Sequence, residues 1–187
     1  MKIGTLLRKP SKIILIIMVI ASFALLLIVT PVMQNLIEIS GSPTSIISRQ
    51  IAFDPSILRS DYEFMLNNGD INSYRLAQIL DYGFMTGYGL FSFSLLVLLA
   101  RSFKTREKWA KVTIIIGILC LFSAIFDALE NMFILLTLAD PINFPDWWAL
   151  AHSTFAVPKW GILFLAIGWA FIALPASIVF KVKDTKK

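Results

Sequence analysis

The chain has 187 residues, of which 57% are hydrophobic and 16% are charged, and its formal net charge is +5. A soluble domain carries roughly 45–50% apolar residues, and here the excess forms long blocks, which excludes an ordinary soluble domain. The single cysteine, Cys120, excludes an internal disulfide and a CxxC redox pair.

Four apolar blocks occupy residues 13–32, 76–99, 112–138 and 147–180. Each has the roughly 20 residues that a helix needs to cross a hydrocarbon core of about 30 Å. Because backbone groups in lipid must be hydrogen-bonded within their own segment, each block is predicted to be a helix. The sequence therefore predicts an all-α fold, a four-helix transmembrane bundle that forms a single integral membrane domain over residues 1–187.

The basic residues collect at the ends of the blocks. They are Lys2, Arg8, Lys9 and Lys12 before the first block, Arg101, Lys104, Arg106, Lys108 and Lys111 between the second and third, and Lys181, Lys183, Lys186 and Lys187 after the fourth. Since cytoplasmic loops carry the excess of Lys and Arg, both termini are predicted to be cytoplasmic. We expect a multi-pass protein of the cell membrane (inner or plasma membrane), and this charge pattern does not indicate nucleic-acid binding.

The external segment, residues 33–75, is predicted to be partly helical. Residues 40–43 read Ser-Gly-Ser-Pro and indicate a break. Asp54 followed by Pro55 is typical of a helix start, and that helix is expected to run to Leu66. Asp70 is expected to cap the helix that enters the second span. We expect an ordinary amphipathic helix here, which either lies at the membrane surface or covers the transmembrane helices.

Charged and amide side chains interrupt the third block at Asp127, Glu130 and Asn131. Their i, i+3 and i+4 spacing predicts one shared helix face. A charge at membrane depth is costly, so such a face normally turns toward protein or a water-filled cavity. These three residues are the strongest indication of a site.

The second and fourth blocks carry matching polar positions. Asp81 and Tyr88 are seven residues apart on the second helix, and His152 and Lys159 are seven apart on the fourth. Counted from the cytoplasmic ends at 1.5 Å per residue, Asp81 and Lys159 lie at about the height of the acids on the third helix, roughly 22–31 Å. The sequence predicts one polar layer in the outer half of the bilayer.

The charges of this layer do not balance, because three carboxylates face one certain base. Either a proton is shared among the acids or a cation is bound. A shared proton would suit general acid–base chemistry and proton transfer equally well. For an enzyme, Asp127 and Glu130 would be acid and base and Lys159 would hold an anionic group or tune the acids, with Asp81 and Asn131 completing the pocket.

Three motifs resemble a group of uncharacterised bacterial membrane proteins with four predicted spans. The chain reads LDYGFMTGYG at residues 80–89, FDALEN at 126–131 and PKW at 158–160. The resemblance covers residues 77–160, and its marks are an Asp-x-x-Glu-Asn on the third helix and a Lys-Trp on the fourth. It adds Trp160 to the site and implies no activity.

The leading functional prediction is an acidic intramembrane pocket near the outer leaflet that binds, and as an enzyme would modify, a lipid-like or amphiphilic small molecule. The predicted catalytic residues are Asp127, Glu130 and Lys159, and the predicted binding residues are Asp81, Tyr88, Asn131, Trp160 and His152. No metal site or cofactor is expected. Two alternatives stay open: a subunit for proton or cation transport, expected to act as a homo-oligomer, and a structural or assembly subunit whose ion pairs hold helices together. Whether the protein is an enzyme also stays open.

Overall fold

The computed structural model describes residues 6–103 and 106–185, and within these ranges the fold is all-α with no β-strand. The prediction of an all-α fold is confirmed. Its helices are α1 (Lys12–Ser40), α2 (Ile46–Gln50), α3 (Pro55–Asn68), α4 (Ile71–Ser102), α5 (Glu107–Thr137) and α6 (Asp146–Thr185). Of the basic residues used to predict the orientation, Lys2, Lys104, Lys186 and Lys187 lie outside the described residues.

Four helices, α1, α4, α5 and α6, are long and apolar enough to cross a membrane, as the sequence predicted. The chain is therefore compatible with a multi-pass integral membrane protein. The helices are longer than the predicted spans. A helix ends at its capping residues, and these lie beyond the point at which the apolar block stops. The Ser11 side chain caps α1 at its start, and Gly41, with φ of 68°, ends it in the left-handed conformation that favours glycine.

The long helices pack in chain order, with α1 along α4, α4 against α5 and α5 against α6, while α1 and α6 have almost no direct contact. Glycines on α4 permit the first of these contacts. A Cβ atom at Gly83 or Gly87 would lie 3.4 or 2.9 Å from side-chain atoms of Val29 and Leu26 on α1. Small residues four apart let two membrane helices approach closely. The same mechanism explains part of the glycine-rich motif at residues 80–89.

Residues 6–10, the end of α4 and the end of α6 lie at one end of the molecule, with Arg106. The Arg101 guanidinium donates to the carbonyls of Leu6 and Pro10, at 2.9 and 2.6 Å. Arg106 pairs with Asp184 at 3.5 Å. Arg101 and Arg106, two of the basic residues used for the topology prediction, therefore lie at this end, and the orientation in the membrane stays a prediction.

Residues 33–75, the predicted external segment, include the end of α1, which continues to Ser40, and the start of α4, which begins at Ile71. We call the connection between them, residues 41–70, the cap. Its predicted signals are present: the Asp54 side chain accepts a hydrogen bond from the Ser56 amide at the start of α3, and Asp70 caps α4. Hydrogen bonds from the Ser56 hydroxyl and amide lower the pKa of Asp54, and those from the Ser73 hydroxyl and the Asn72 amide lower the pKa of Asp70.

The cap covers the ends of α4, α5 and α6. On its inner face Leu58, Tyr62 and Met65 join one buried apolar cluster with Ile134 and Phe144. Arg59 also donates to carbonyls of the α5–α6 connection. The amphipathic helix predicted here is thus α3, and its apolar side lies on the transmembrane helices.

The two ends of the cap meet at Gly69. The Asp70 amide donates to the Ser40 carbonyl at 3.3 Å, and a Cβ at Gly69 would lie 2.1 Å from that carbonyl oxygen. Since the obstacle is backbone, Gly69→Ala should lower the free energy of unfolding by about 2 kcal/mol. Thermal unfolding in detergent measures this. Gly161→Ala is the matched control, because its Cβ would meet nothing within 4 Å; an equally stable Gly69→Ala would contradict the close approach.

Candidate functional site

The centre of the candidate site is an ion-pair group that joins α5 and α6. Lys159 Nζ lies 3.0 Å from Asp127 Oδ1 and 2.5 Å from Glu130 Oε2. The exposed fractions of Lys159, Asp127 and Glu130 are 3, 4 and 1%. Charges hidden this deeply need close partners, and each of these three has one. The structure thus brings the three predicted catalytic residues together.

Helix α4 adds polar side chains to this group. Asn131 Nδ2 donates to Asp81 Oδ2 at 2.8 Å and to the Gln78 carbonyl at 3.0 Å. The Tyr88 hydroxyl donates to Asp127 Oδ2 at 3.0 Å. Both oxygens of Asp127 are therefore engaged, one by Lys159 and one by Tyr88. We call Asp81, Tyr88, Asp127, Glu130, Asn131 and Lys159 the polar cluster.

The backbone of α6 is fixed beside the polar cluster. Ser123 on α5 donates its hydroxyl to the Lys159 carbonyl at 3.1 Å. The Lys159 ammonium lies 5.3 Å from the centre of the Trp160 ring, within cation–π range. The Trp160 indole nitrogen in turn donates to Gln50 Oε1 at 2.9 Å, which ties this part of α6 to the cap. Trp160, which only the resemblance added to the site, thus lies beside Lys159.

His152 lies on the other side of Glu130. Its Nδ1 is 3.7 Å from Glu130 Oε1, which is too long for a hydrogen bond. Within the described residues, neither ring nitrogen of His152 makes a hydrogen bond, and Glu130 Oε1 makes none either, whereas Glu130 Oε2 contacts the Lys159 ammonium. His152 is therefore a neighbour of Glu130 without a hydrogen bond to the polar cluster in the part of the chain that the structure describes.

A partly open cavity of about 370 Å³ lies next to the polar cluster. Its lining residues are Met33, Ile37, Ile46, Gln50, Gln78, Asp81, Phe84, Tyr88, Asp127, Lys159, Trp160 and Leu163. Five predicted site residues thus line it. Glu130, Asn131 and His152 do not, although Glu130 contacts Lys159 and Asn131 contacts Asp81, which both line it.

The apolar walls of the cavity come from helices that barely touch each other. Met33 and Ile37 on α1 form one wall, and Leu163 on α6 stands on the opposite helix. Sequence reasoning missed these residues, together with Gln50. An apolar side chain on a membrane helix looks the same in sequence whether it faces lipid or a cavity, so no signal could have found them.

A second buried ion pair lies in the cap and was not predicted. Arg49 Nη1 lies 3.1 Å from Asp61 Oδ2, with side chains 2 and 3% exposed. Thr44 donates to Asp61, and the Arg49 guanidinium stacks over the Tyr74 ring at 4.7 Å. Burial alone would lower the pKa of Arg49, but Tyr74, Tyr62 and Asp61 raise it above the ordinary value, so the guanidinium is charged.

Within the described residues, no group of three or more His, Cys, Asp or Glu side chains could hold a metal ion. The fold and the site together define a class: an all-α protein, compatible with a multi-pass membrane protein, with a buried polar cluster beside a cavity. No protein-family model, no curated protein and no solved structure matches the chain. The resemblance to the uncharacterised four-span group therefore stays a prediction.

Proposed function

We propose that this integral membrane protein binds a lipid-like or amphiphilic small molecule in the cavity beside the polar cluster. The observation that carries the proposal is that the cavity lining has a polar part and an apolar part. Asp81, Asp127 and Lys159 form one polar region, and Met33 and Leu163 belong to apolar walls on two helices. A molecule with one polar and one apolar end matches this division.

The size of the cavity supports a small ligand. Its volume of about 370 Å³ lies at the lower end of the roughly 300–1,000 Å³ typical of ligand pockets. This holds a head group and a short stretch of chain. Because α1 and α6 have almost no contact, the rest of an acyl chain would leave between them into the bilayer.

The orientation in the membrane belongs to the same proposal. The end that holds Arg101 and Arg106 would be cytoplasmic by the positive-inside rule, and the cap would lie outside. The polar cluster would then open toward the outer leaflet of the cell membrane. The hydrogen bond from Trp160 to Gln50 supports this proposal, because it joins the lining of the cavity to the cap.

If the ligand is modified, the predicted catalytic residues would have different roles, which follow from the contacts that each one makes. Asp127 and Lys159 line the cavity and would touch the ligand, whereas Glu130 would act through Lys159 as a positioning residue. Proton exchange between Lys159 and the carboxylates would be the chemistry available there. If the ligand is bound but not modified, only its contacts with Asp127 and Lys159 are needed.

A structural role is the second candidate. It is supported by the two close contacts of Lys159, which already neutralise much of the charge without any ligand. In that case the polar cluster would hold α4, α5 and α6 together, and the cavity would be filled by bulk lipid chains only. The following experiment separates the two candidates.

Filling the cavity should weaken specific binding of an amphiphile. We expect Leu163→Trp to weaken binding of monolauroylglycerol, an uncharged probe, at least about tenfold, or about 1.4 kcal/mol. Binding is measured by native mass spectrometry of protein released from lipid nanodiscs. Leu165→Trp is the matched control, because Leu165 is 52% exposed on the same helix and does not line the cavity. Equal binding by both variants and the unsubstituted protein would favour the structural role.

A further inference from the structure

We propose that the head group bound in the cavity is a cation, an amine or a quaternary ammonium, and that Asp81 is its counter-charge. This inference rests on the proposed function and names the ligand class for the same site. It is carried by three features of the cavity: an acid that lacks a basic partner, a lysine that is already paired, and aromatic side chains in the same lining.

Asp81 is the acid of the polar cluster without a basic partner. In the part of the chain that the structure describes, it forms no ion pair, and its one side-chain hydrogen bond comes from the neutral amide of Asn131. Asp81 also lines the cavity. A carboxylate in a place of low polarity is costly unless an opposite charge is close, and a ligand cation would supply that charge.

Lys159 is not free to bind an anionic head group. Its ammonium already contacts Asp127 and Glu130, at 3.0 and 2.5 Å. An anion in the cavity would have to displace one of these carboxylates and would face Asp81 as well. The formal charge of the polar cluster is one Lys against three acids, so the cluster as a whole favours a cation.

Aromatic side chains complete the argument. Phe84, Tyr88 and Trp160 line the same cavity as Asp81, and the Phe84 and Tyr88 rings pack edge to face at 5.6 Å. Aromatic faces attract cations, and they do so most strongly where water is excluded. They also suit a quaternary ammonium, which has no hydrogen to donate. An acid beside aromatic rings therefore matches a cationic head group better than a neutral polyol.

The test compares three amphiphiles with the same twelve-carbon chain: dodecyltrimethylammonium, monolauroylglycerol and dodecyl phosphate. With the unsubstituted protein, we expect the cation to bind at least about tenfold more tightly than the neutral probe. In Asp81→Asn this preference should fall to within about threefold, while binding of the neutral probe is unchanged. Glu63→Gln removes an acid from the exposed face of the cap and is the matched control, in which the preference should persist.

Each other outcome overturns a defined part of the inference. If the three probes bind equally and Leu163→Trp still weakens all of them, the head-group assignment is wrong but the cavity binds amphiphiles. If dodecyl phosphate binds best, the head group is anionic and Lys159 recognises it. If Asp81→Asn keeps the preference for the cation, Asp81 is not its counter-charge. If no probe responds to Leu163→Trp, the proposed function itself fails.

Discussion

Replacing Lys159 with methionine should lower the free energy of unfolding by about 3 kcal/mol or more. The substitution removes the cation between Asp127 and Glu130, which are 4 and 1% exposed, and leaves two carboxylates buried without it. Removing one partner of a buried ion pair typically costs about 3–5 kcal/mol. Unfolding in mixed micelles with increasing dodecyl sulfate measures the difference.

Lys108→Met is the control for this prediction, because it removes the same charge at an exposed position near the start of α5. Surface charges contribute little, so this control should change stability by less than about 1 kcal/mol. If Lys159→Met were no more destabilising than Lys108→Met, the Lys159 ammonium would not be shielded from water as the structure has it.

Arg49→Met should have a comparable effect on the cap, of about 3 kcal/mol. Asp61 would stay buried with only the Thr44 hydroxyl as a partner, and the contact between the guanidinium and the Tyr74 ring would be lost. Unfolding in mixed micelles measures the loss. Limited proteolysis should also cut residues 41–70 faster, because the cap would open locally before the transmembrane helices separate.

Lys111→Met is the control, because it breaks an ion pair at an exposed position. Lys111 pairs with Glu107, and the two side chains are 54 and 75% exposed. Exposed pairs of this kind contribute roughly 0.2–1 kcal/mol. A further variant, Arg49→Met with Asp61→Leu, should recover part of the loss because it removes the orphaned carboxylate. Equal effects of Arg49→Met and Lys111→Met would show that the buried pair does not hold the cap.

Much of the fold follows from simple properties of the sequence. The four membrane helices could be predicted because each block is long enough to cross the hydrocarbon core, a property that does not depend on tertiary contacts. The N-cap residues Asp54 and Asp70 could be predicted because a short acidic side chain accepts hydrogen bonds from the free amides at a helix start. The predicted positions of the helix ends were less accurate, since a helix such as α1 continues beyond its apolar block.

The polar cluster could be predicted in part. The i, i+3 and i+4 spacing placed Asp127, Glu130 and Asn131 on one face, and the cost of charge in lipid predicted that this face turns inward. Spacing along one helix does not fix how the helix is rotated against its neighbours. For that reason the sequence could not show that Asp127 lines the cavity while Glu130 lies behind Lys159.

The cap pair and the cavity walls could not be predicted. Arg49 and Asp61 lie in a segment between spans, where charges are usually solvated, and only the packing of the cap on Tyr74 makes them buried. Met33 and Leu163 are ordinary apolar residues of membrane helices, and their place in the lining depends on the gap between α1 and α6.

The central claim is that charged side chains from separate membrane helices contact each other and are hidden from lipid and water. A double-mutant cycle with Asp127→Asn and Lys159→Met tests it most directly, using unfolding in mixed micelles. We predict a coupling free energy of at least about 1 kcal/mol, because each substitution removes the same 3.0 Å contact. Effects that add within about 0.3 kcal/mol would contradict the claim, since distant and independent sites behave in that way.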